Sequence, residues 1–228
     1  SVIAVSSHKG LMGTPADIDY MDKLFGPPQL KNKISINKPI VENLAEVVNT
    51  FQVVPSKVNV VIMDRDRNAH YINAAQKFGV NLIKIQAGDF LPSILSCLDP
   101  NTHKKGIHLV LGSGGFEEGI LAAVAGKALG AVVEGKGWSG DKEIQSKYTK
   151  IWGIDDLVSG KKKDCFAPVE AVIVKNLSQG SGSTNAIFFS YLIAPLGFVV
   201  HTVRRVRHHQ QGLRTIQEFL DISSVGCI

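Results

Sequence analysis

Cysteine is scarce. The 228 residues contain three, Cys97, Cys165 and Cys227, an odd number with neither the paired spacing of a zinc site nor the density of a disulfide framework. The sequence therefore predicts no structural metal cluster and points to a reducing compartment, cytoplasmic or plastid stroma. Long hydrophobic runs are missing as well. The longest, Ala186 to Val200, is broken by Pro195 and Gly197 and falls short of the roughly 20 residues that a membrane span needs, so a buried core is the expectation and a membrane partner is not. No charged segment followed by a long apolar core opens the chain, which argues against a secretory signal; Ser1-Val2-Ile3-Ala4-Val5 reads as the interior of a longer protein. No Gly-Lys-Ser/Thr follows a glycine loop, the dinucleotide spacing is incomplete, and no internal repeat is apparent.

What is present is a chain with 44% hydrophobic residues, enough for one large domain or one and a half smaller ones. A net charge of +5 suits a phosphorylated substrate, an acidic surface or a nucleic acid. Lys161-Lys162-Lys163 has no aromatic interleaving and reads as a solvated loop. Arg204, Arg205, Arg207, His208, His209 and Arg214 form a second basic cluster around a hairpin at Gln210-Gln211-Gly212. Nucleic acid ranks below a small anionic substrate as a partner.

The organising stretch is Gly112-Ser113-Gly114-Gly115-Phe116-Glu117-Glu118-Gly119. It reads as an apolar strand, Ile107 to Leu111, running into a glycine-rich turn that opens a helix. Such a turn lets a ligand approach the main chain, and the helix start offers unpaired N–H groups to anions. Glu117 and Glu118 suit the helix dipole, and one of them can hold a cation that neutralises a phosphate.

In chain order, Val2 to Val5 reads as a strand and Gly10 to Pro28 as a turn-rich segment. Within it Asp17, Asp19 and Asp22 resemble a calcium loop without its glycine and closing glutamate. Asn37 before Pro39 and an apolar stripe from Ile40 to Phe51 predict a helix. After Pro55 strand and helix alternate: strand Val58 to Met63, helix His70 to Phe78 stopped by Gly79, strand Val80 to Ile85, helix Asp89 to Leu98, strand Ile107 to Leu111, and helix Glu117 to Leu129 ended by Gly130. That spacing predicts βαβ units and a parallel sheet covered on both faces. Asp141 to Trp152 reads as a polar helix and Ala171 to Val174 as a strand. Val199 to Val206 and Leu213 to Leu220 read as a terminal hairpin that Val2 to Val5 joins.

Ligands of such sheets bind beyond the carboxyl ends of the strands. Asp64-Arg65-Asp66-Arg67, Gln86-Ala87-Gly88-Asp89 and the glycine stretch ending at Glu118 meet that condition. Guanidinium forks suit phosphate oxygens and a carboxylate accepts sugar hydroxyls. The same residues also admit plainer roles: Arg65 and Arg67 paired with Asp64 and Asp66 on the surface, and Asp89 as a helix N-cap.

These residues resemble the class II fructose-1,6-bisphosphatases, including the cyanobacterial type that also accepts sedoheptulose-1,7-bisphosphate. Tyr20-Met21-Asp22-Lys23-Leu24 is similar to the family's Tyr-Met-x-Lys-Leu, and Val61 to Arg67 to its Val-Met-Asp-Arg-Pro-Arg-His. Gly88-Asp89 falls at its Asp-Gly-Asp, and Gly112 to Gly119 at its Gly-Ile-Gly-Gly-Ala-Pro-Glu-Gly. The resemblance implies a layered α/β sugar-phosphatase fold, with a mostly parallel sheet flanked by helices plus a partial second sheet. It implies that Tyr20, Arg65, Asp66, Arg67, Gly88, Asp89 and Gly115 bind substrate, that Glu118 is a metal ligand, and that Mg2+ or Mn2+ is the cofactor. Asp66 stands where the family has proline, Asn68 where it has histidine, Ala87 where it has the first aspartate of Asp-Gly-Asp, and Glu117 where it has proline. The family's Asp-Pro-Leu-Glu-Gly-Thr motif and most of its acidic ligands have no counterpart in this chain.

The expected division is 1–56 as the remainder of an N-terminal phosphatase domain, 57–190 as an α/β domain, and 191–228 as a hairpin returning to the first. The expected activity is metal-dependent hydrolysis of the 1-phosphate of fructose-1,6-bisphosphate, extending to sedoheptulose-1,7-bisphosphate, in gluconeogenesis or the Calvin cycle, with this chain alone incomplete. The alternative is a non-catalytic paralogue acting as a structural or regulatory subunit. Expected partners are a sugar bisphosphate and either further copies of the chain or a separate N-terminal half.

Overall fold

The computed structural model describes residues 2–6, 12–102, 106–159, 171–174, 190–193 and 198–202. Its strands are β1 (Val2–Ser6), β2 (Tyr20–Gly26), β3 (Asn59–Met63), β4 (Asn81–Ile85), β5 (Leu109–Gly115), β6 (Val132–Trp138), β7 (Ile151–Gly153), β8 (Ala171–Val174), β9 (Ser190–Ile193) and β10 (Phe198–Thr202). The helices are α1 (Ile40–Phe51), α2 (Ala69–Phe78), α3 (Phe90–Leu95), α4 (Phe116–Ala128), α5 (Lys142–Lys147) and α6 (Ile154–Ser159).

A six-stranded sheet has the order β4-β3-β5-β2-β6-β7. β3 runs parallel to β4 and β5, which is the βαβ half that the alternation predicts. β2 enters antiparallel between β5 and β6, and β7 closes the far edge antiparallel to β6. The sheet is therefore mixed, with a parallel core and helices on both faces.

Alternation along the strands divides the interior in two. Leu24, Val60, Ile62, Leu109 and Leu111 face α1 and α2, where Leu44, Val47, Ile72 and Ala75 complete a core. Met21, Phe25, Val61, Val110 and Val133 face the other way and pack with Phe116, Ile120, Leu121 and Val124 of α4 and Leu157 of α6. α4 is apolar on nearly every side, as a helix enclosed all round must be. It contacts β2, β5 and β6 of the large sheet, and also β1, β8 and β10. These last belong to a four-stranded antiparallel sheet of order β8-β1-β10-β9. Helices, sheet, helix and sheet thus form successive layers.

Several expectations change. The stretch expected to be turns contains β2, the strand that joins the parallel and antiparallel halves; it lies within 1–56 yet pairs with residues 110–115 and 132–138. Nor is Gly112 to Gly115 a turn. β5 continues through it to Gly115 and α4 begins at Phe116, because Tyr20 to Lys23 supply hydrogen-bond partners for that backbone. The acidic trio does not share one loop: Asp17 and Asp19 lie in the turn and bend before β2, whereas Asp22 lies in β2 beside Ser113, and Asp17 accepts a hydrogen bond from the Tyr148 hydroxyl. Burial foremost, then that bond, pushes the Tyr148 hydroxyl up to about 12.

Asn37 does not cap α1. Pro39 holds the N-cap position with no side-chain cap, while Asn43 ties the preceding loop down, accepting from Ser35 N at 2.9 Å and donating to Ser35 O at 2.8 Å. The polar helix expected over Asp141 to Trp152 is only α5, capped by Asp141 and followed by β7. The helix expected from Asp89 to Leu98 is α3 alone. The second arm of the terminal hairpin, both basic clusters, Cys165 and Cys227 lie outside the described residues. Cys97 is buried and free, and burial pushes its thiol up to about 12. Among the described residues no helix is long and apolar enough to cross a membrane.

Candidate functional site

The end of β5 is the centre of the arrangement. Asn68, fully buried in the turn after β3, accepts from Ser113 N at 2.7 Å and donates to Ser113 O at 3.2 Å and Met63 O at 3.0 Å. One amide thus fastens β3 to β5. Gly112 makes room for it: its φ is +122°, and a Cβ there would stand 2.9 Å from Asn68 Oδ1.

Beside Asn68, Arg67 donates from Nε to Ser113 O at 3.2 Å, and its guanidinium carbon lies 4.2 Å from the centre of the Tyr20 ring and 5.9 Å from that of Trp138. Strand pairing explains the neighbours, since Tyr20 is opposite both Gly115 and Trp138. The two aromatic rings meet edge to face at 6.0 Å. One row inward, Asp22 lies between Ser113 and Lys136. The Ser113 hydroxyl donates to Asp22. Burial raises the Asp22 carboxyl above its ordinary range, against the opposing pull of that bond and of His70, Lys136 and Arg67.

On the opposite face of β2, Lys23 is enclosed and its Nζ lies 2.8 Å from Asp89 Oδ2. Asp89 occupies the N-cap position of α3, but its side chain caps nothing there; it is directed to Lys23 instead. Lys23 also donates to Gly115 O at 3.3 Å. Gly115 precedes α4, and the Glu118 carboxylate folds over it so closely that a Cβ at 115 would lie 1.8 Å from Glu118 Oε2.

Tyr20, Arg67, Asp89, Gly115 and Glu118 therefore gather around the end of β5, with Tyr20 and Arg67 on the α2 face and Asp89 on the α4 face. Arg65 stands one strand away, exposed, donating to Asp64 O at 3.3 Å and to Gln86 O. Gly88, with φ +81°, turns the chain into Asp89. Asp66 is exposed, and its side chain makes no hydrogen bond or ion pair among the described residues. The simple pairing of arginines with adjacent aspartates is not found: Asp64 pairs with Lys84 at 3.2 Å and accepts from Gln86 at 3.3 Å.

A divalent cation such as Mg2+ or Mn2+ collects several oxygen ligands. Glu117 stands beside Glu118; partial burial of its carboxyl, then Glu118 and Asp19, raises its pKa. Even so, no three His, Cys, Asp or Glu residues among those described are grouped to hold a metal ion. The described residues do not fit a complete cation site, and Glu118 can be one ligand of a larger set at most.

Lys23, Asn68, Ser113 and Trp138 are given no binding or catalytic role by the sequence, although Asn68 stands out there as a departure from the family's histidine. Lys23 and Asn68 sit inside or beside the motif stretches, and a strand assignment for Tyr20 to Gly26 would have turned Lys23 inward and exposed the anomaly.

The family model for "Bacterial fructose-1,6-bisphosphatase, glpX-encoded" matches residues 1–173. The chain belongs to this family. Among curated members, a D-fructose 1,6-bisphosphatase class 2/sedoheptulose 1,7-bisphosphatase of Gloeobacter violaceus is 30% identical over 181 residues, 71% of this chain and 51% of that protein. One of Synechococcus sp. is 31% identical over 183 residues, again 71% and 51%. One of Prochlorococcus marinus is 30% identical over 201 residues, 83% and 57%. The chain spans about half the length of the curated relatives it matches. The class II family is generally dependent on divalent metal.

Proposed function

We propose that this chain binds a sugar bisphosphate and serves in hydrolysis of the 1-phosphate of fructose-1,6-bisphosphate, with sedoheptulose-1,7-bisphosphate as a second substrate, in gluconeogenesis or the Calvin cycle. The observation that carries this reading is the gathering of Tyr20, Arg67, Asp89, Gly115 and Glu118 at one strand end in a member of the bisphosphatase family. Among the described residues Arg67 spends only Nε on a hydrogen bond, to Ser113 O, and the two terminal nitrogens of its fork suit phosphate oxygens. The Tyr20 ring lies against that guanidinium, 4.2 Å from its carbon, and at 38% exposure it is open to the ligand as well. Asp89 accepts sugar hydroxyls, and the backbone at Gly115 lets the sugar approach closely. Metal dependence follows from the family. Glu118 contributes one ligand, and no step of hydrolysis is assigned to this chain's own carboxylates.

Calorimetry with fructose-1,6-bisphosphate, paired with phosphate release in Mg2+ or Mn2+, tests the reading. The expected result is saturable binding that Arg67→Ala weakens. Absence of binding by the wild-type chain overturns it. Binding without turnover in either metal selects the non-catalytic alternative for the isolated chain.

A further inference from the structure

We infer that Lys23 is a positioning residue: from an enclosed place beneath the sheet, its ammonium fixes the Asp89 carboxylate and the Gly115 carbonyl in one arrangement. The inference rests on the reading of Asp89 and Gly115 as sugar-phosphate contacts. Lysine is among the residues least often enclosed in a protein, yet the Lys23 side chain is only 2% exposed. At that exposure Lys23 has less surface for a ligand than its partner Asp89, whose side chain is 10% exposed. Its enclosure also makes space-filling a poor explanation, because Met21 and Phe25, the neighbouring residues on the same face of β2, fill space without a charge to desolvate.

What Lys23 does that an apolar side chain cannot is join three segments far apart in sequence. It lies on β2, its ion pair reaches the turn before α3, and its hydrogen bond reaches the junction between β5 and α4. The strand it crosses is stripped to accommodate the pair. A Cβ at Gly114 would stand 2.2 Å from Asp89 Oδ2, 2.5 Å from Lys23 Cε and 2.7 Å from Lys23 Nζ. Asp89 meanwhile forgoes capping α3. Both groups give up ordinary roles to meet each other, and the consequence is a carboxylate and a carbonyl held in fixed register where α3 and α4 begin.

The test uses the full chain with Lys23→Arg, Lys23→Met, Asp89→Asn and the double variant Lys23→Met/Asp89→Asn, which leaves no uncompensated charge should Lys23→Met alone not fold. Amide hydrogen exchange is followed over residues 86–95 and 112–119 and, as an internal standard, over β3 and β6. Exchange in the two segments should rise about tenfold or more in the double variant with the standards unchanged, and Lys23→Arg should fall between it and wild type. Affinity for fructose-1,6-bisphosphate is measured alongside. Lys23→Met, where folded, should lose about tenfold, while the double variant should stay within about twofold of Asp89→Asn, because Lys23 acts through Asp89. Unchanged or uniformly raised exchange, full affinity in Lys23→Met, or additive losses would each overturn the inference. A wild type that binds no sugar bisphosphate sinks the functional reading and Lys23's service to it, while the exchange arm separately reports whether Lys23 fixes the two segments.

Discussion

Asp22 and Lys23 are consecutive residues on one strand, and they meet opposite fates. Asp22 points to the α2 face, where a single carboxylate is approached by Arg67, His70 and Lys136. Lys23 points to the α4 face, where one ammonium meets one carboxylate in a closed pair. Exposure follows the same division: Tyr20, next to Asp22 on the first face, is 38% exposed, whereas Lys23 is sealed. On the first face Arg67 and Lys136 stand near Asp22 and Tyr20 is open to water, which suits capture of an anion. The second is electrically closed and suits holding a shape. A strand whose side chains alternate can do both at once, turning Asp22 to the open face on one side and, on the other, using Lys23 to fix the Asp89 carboxylate proposed to meet the sugar.

Breaking the closed side should have the largest effect. Gly114→Ala drives a methyl group between Asp89 and Lys23 and should lower stability by about 3 kcal/mol, the upper end for overpacking, in urea unfolding. A loss below about 0.5 kcal/mol, the range of an ordinary surface change, would mean that the pair is loose. Next comes the seam between the two sides. Asn68→Ala removes the acceptor of the buried Ser113 N–H and should cost about 2 kcal/mol in the same assay.

On the open side, Arg67→Ala should leave the fold intact and weaken fructose-1,6-bisphosphate binding about tenfold by calorimetry, as expected for a lost charge-assisted contact. An unchanged affinity would detach this face from ligand capture. The smallest effect sharpens the comparison through pH. Because burial raises the Asp22 carboxyl, the folded chain holds that proton more tightly than the unfolded one, and the ionised group weighs against folding once pH exceeds its raised value. Asp22→Asn, which keeps an acceptor for Ser113, should therefore be more stable than wild type at neutral pH. That advantage should fade as pH falls towards the ordinary carboxylate value of about 4. Stability difference curves that stay flat across this window would contradict the burial assigned to Asp22.

The parallel half was readable because its signals are local. Val60-Val61-Ile62 marks β3, Leu82, Ile83 and Ile85 mark β4, and Gly79 ends α2 in the left-handed region, φ +89°. β2 was not readable, since an inward lysine breaks the apolar alternation that reveals a half-buried strand. β6 was hidden for a different reason. Its inward positions include Gly135 and Gly137, whose missing side chains are replaced by Met21, Ile18 and Tyr148 from elsewhere in the chain. Glycine at an inward position carries no periodic signal, which is also why β5 looked like a turn from Gly112 onward. At the site, motif residues such as Arg67 and Glu118 could be nominated from the sequence. Lys23 and Asn68 could not, because their importance lies in partners from distant segments.

The central place of β2 has a consequence for biogenesis. On the ribosome, residues 20–26 emerge well before their two neighbours, β5 and β6, so the nascent chain must carry an unpaired middle strand while nearly all of the parallel half is translated. Such non-local closure is slow, and the waiting strand offers its edges to other chains. Synthesis of this protein should accordingly lean on chaperones that shield that segment until residue 138 has cleared the exit tunnel.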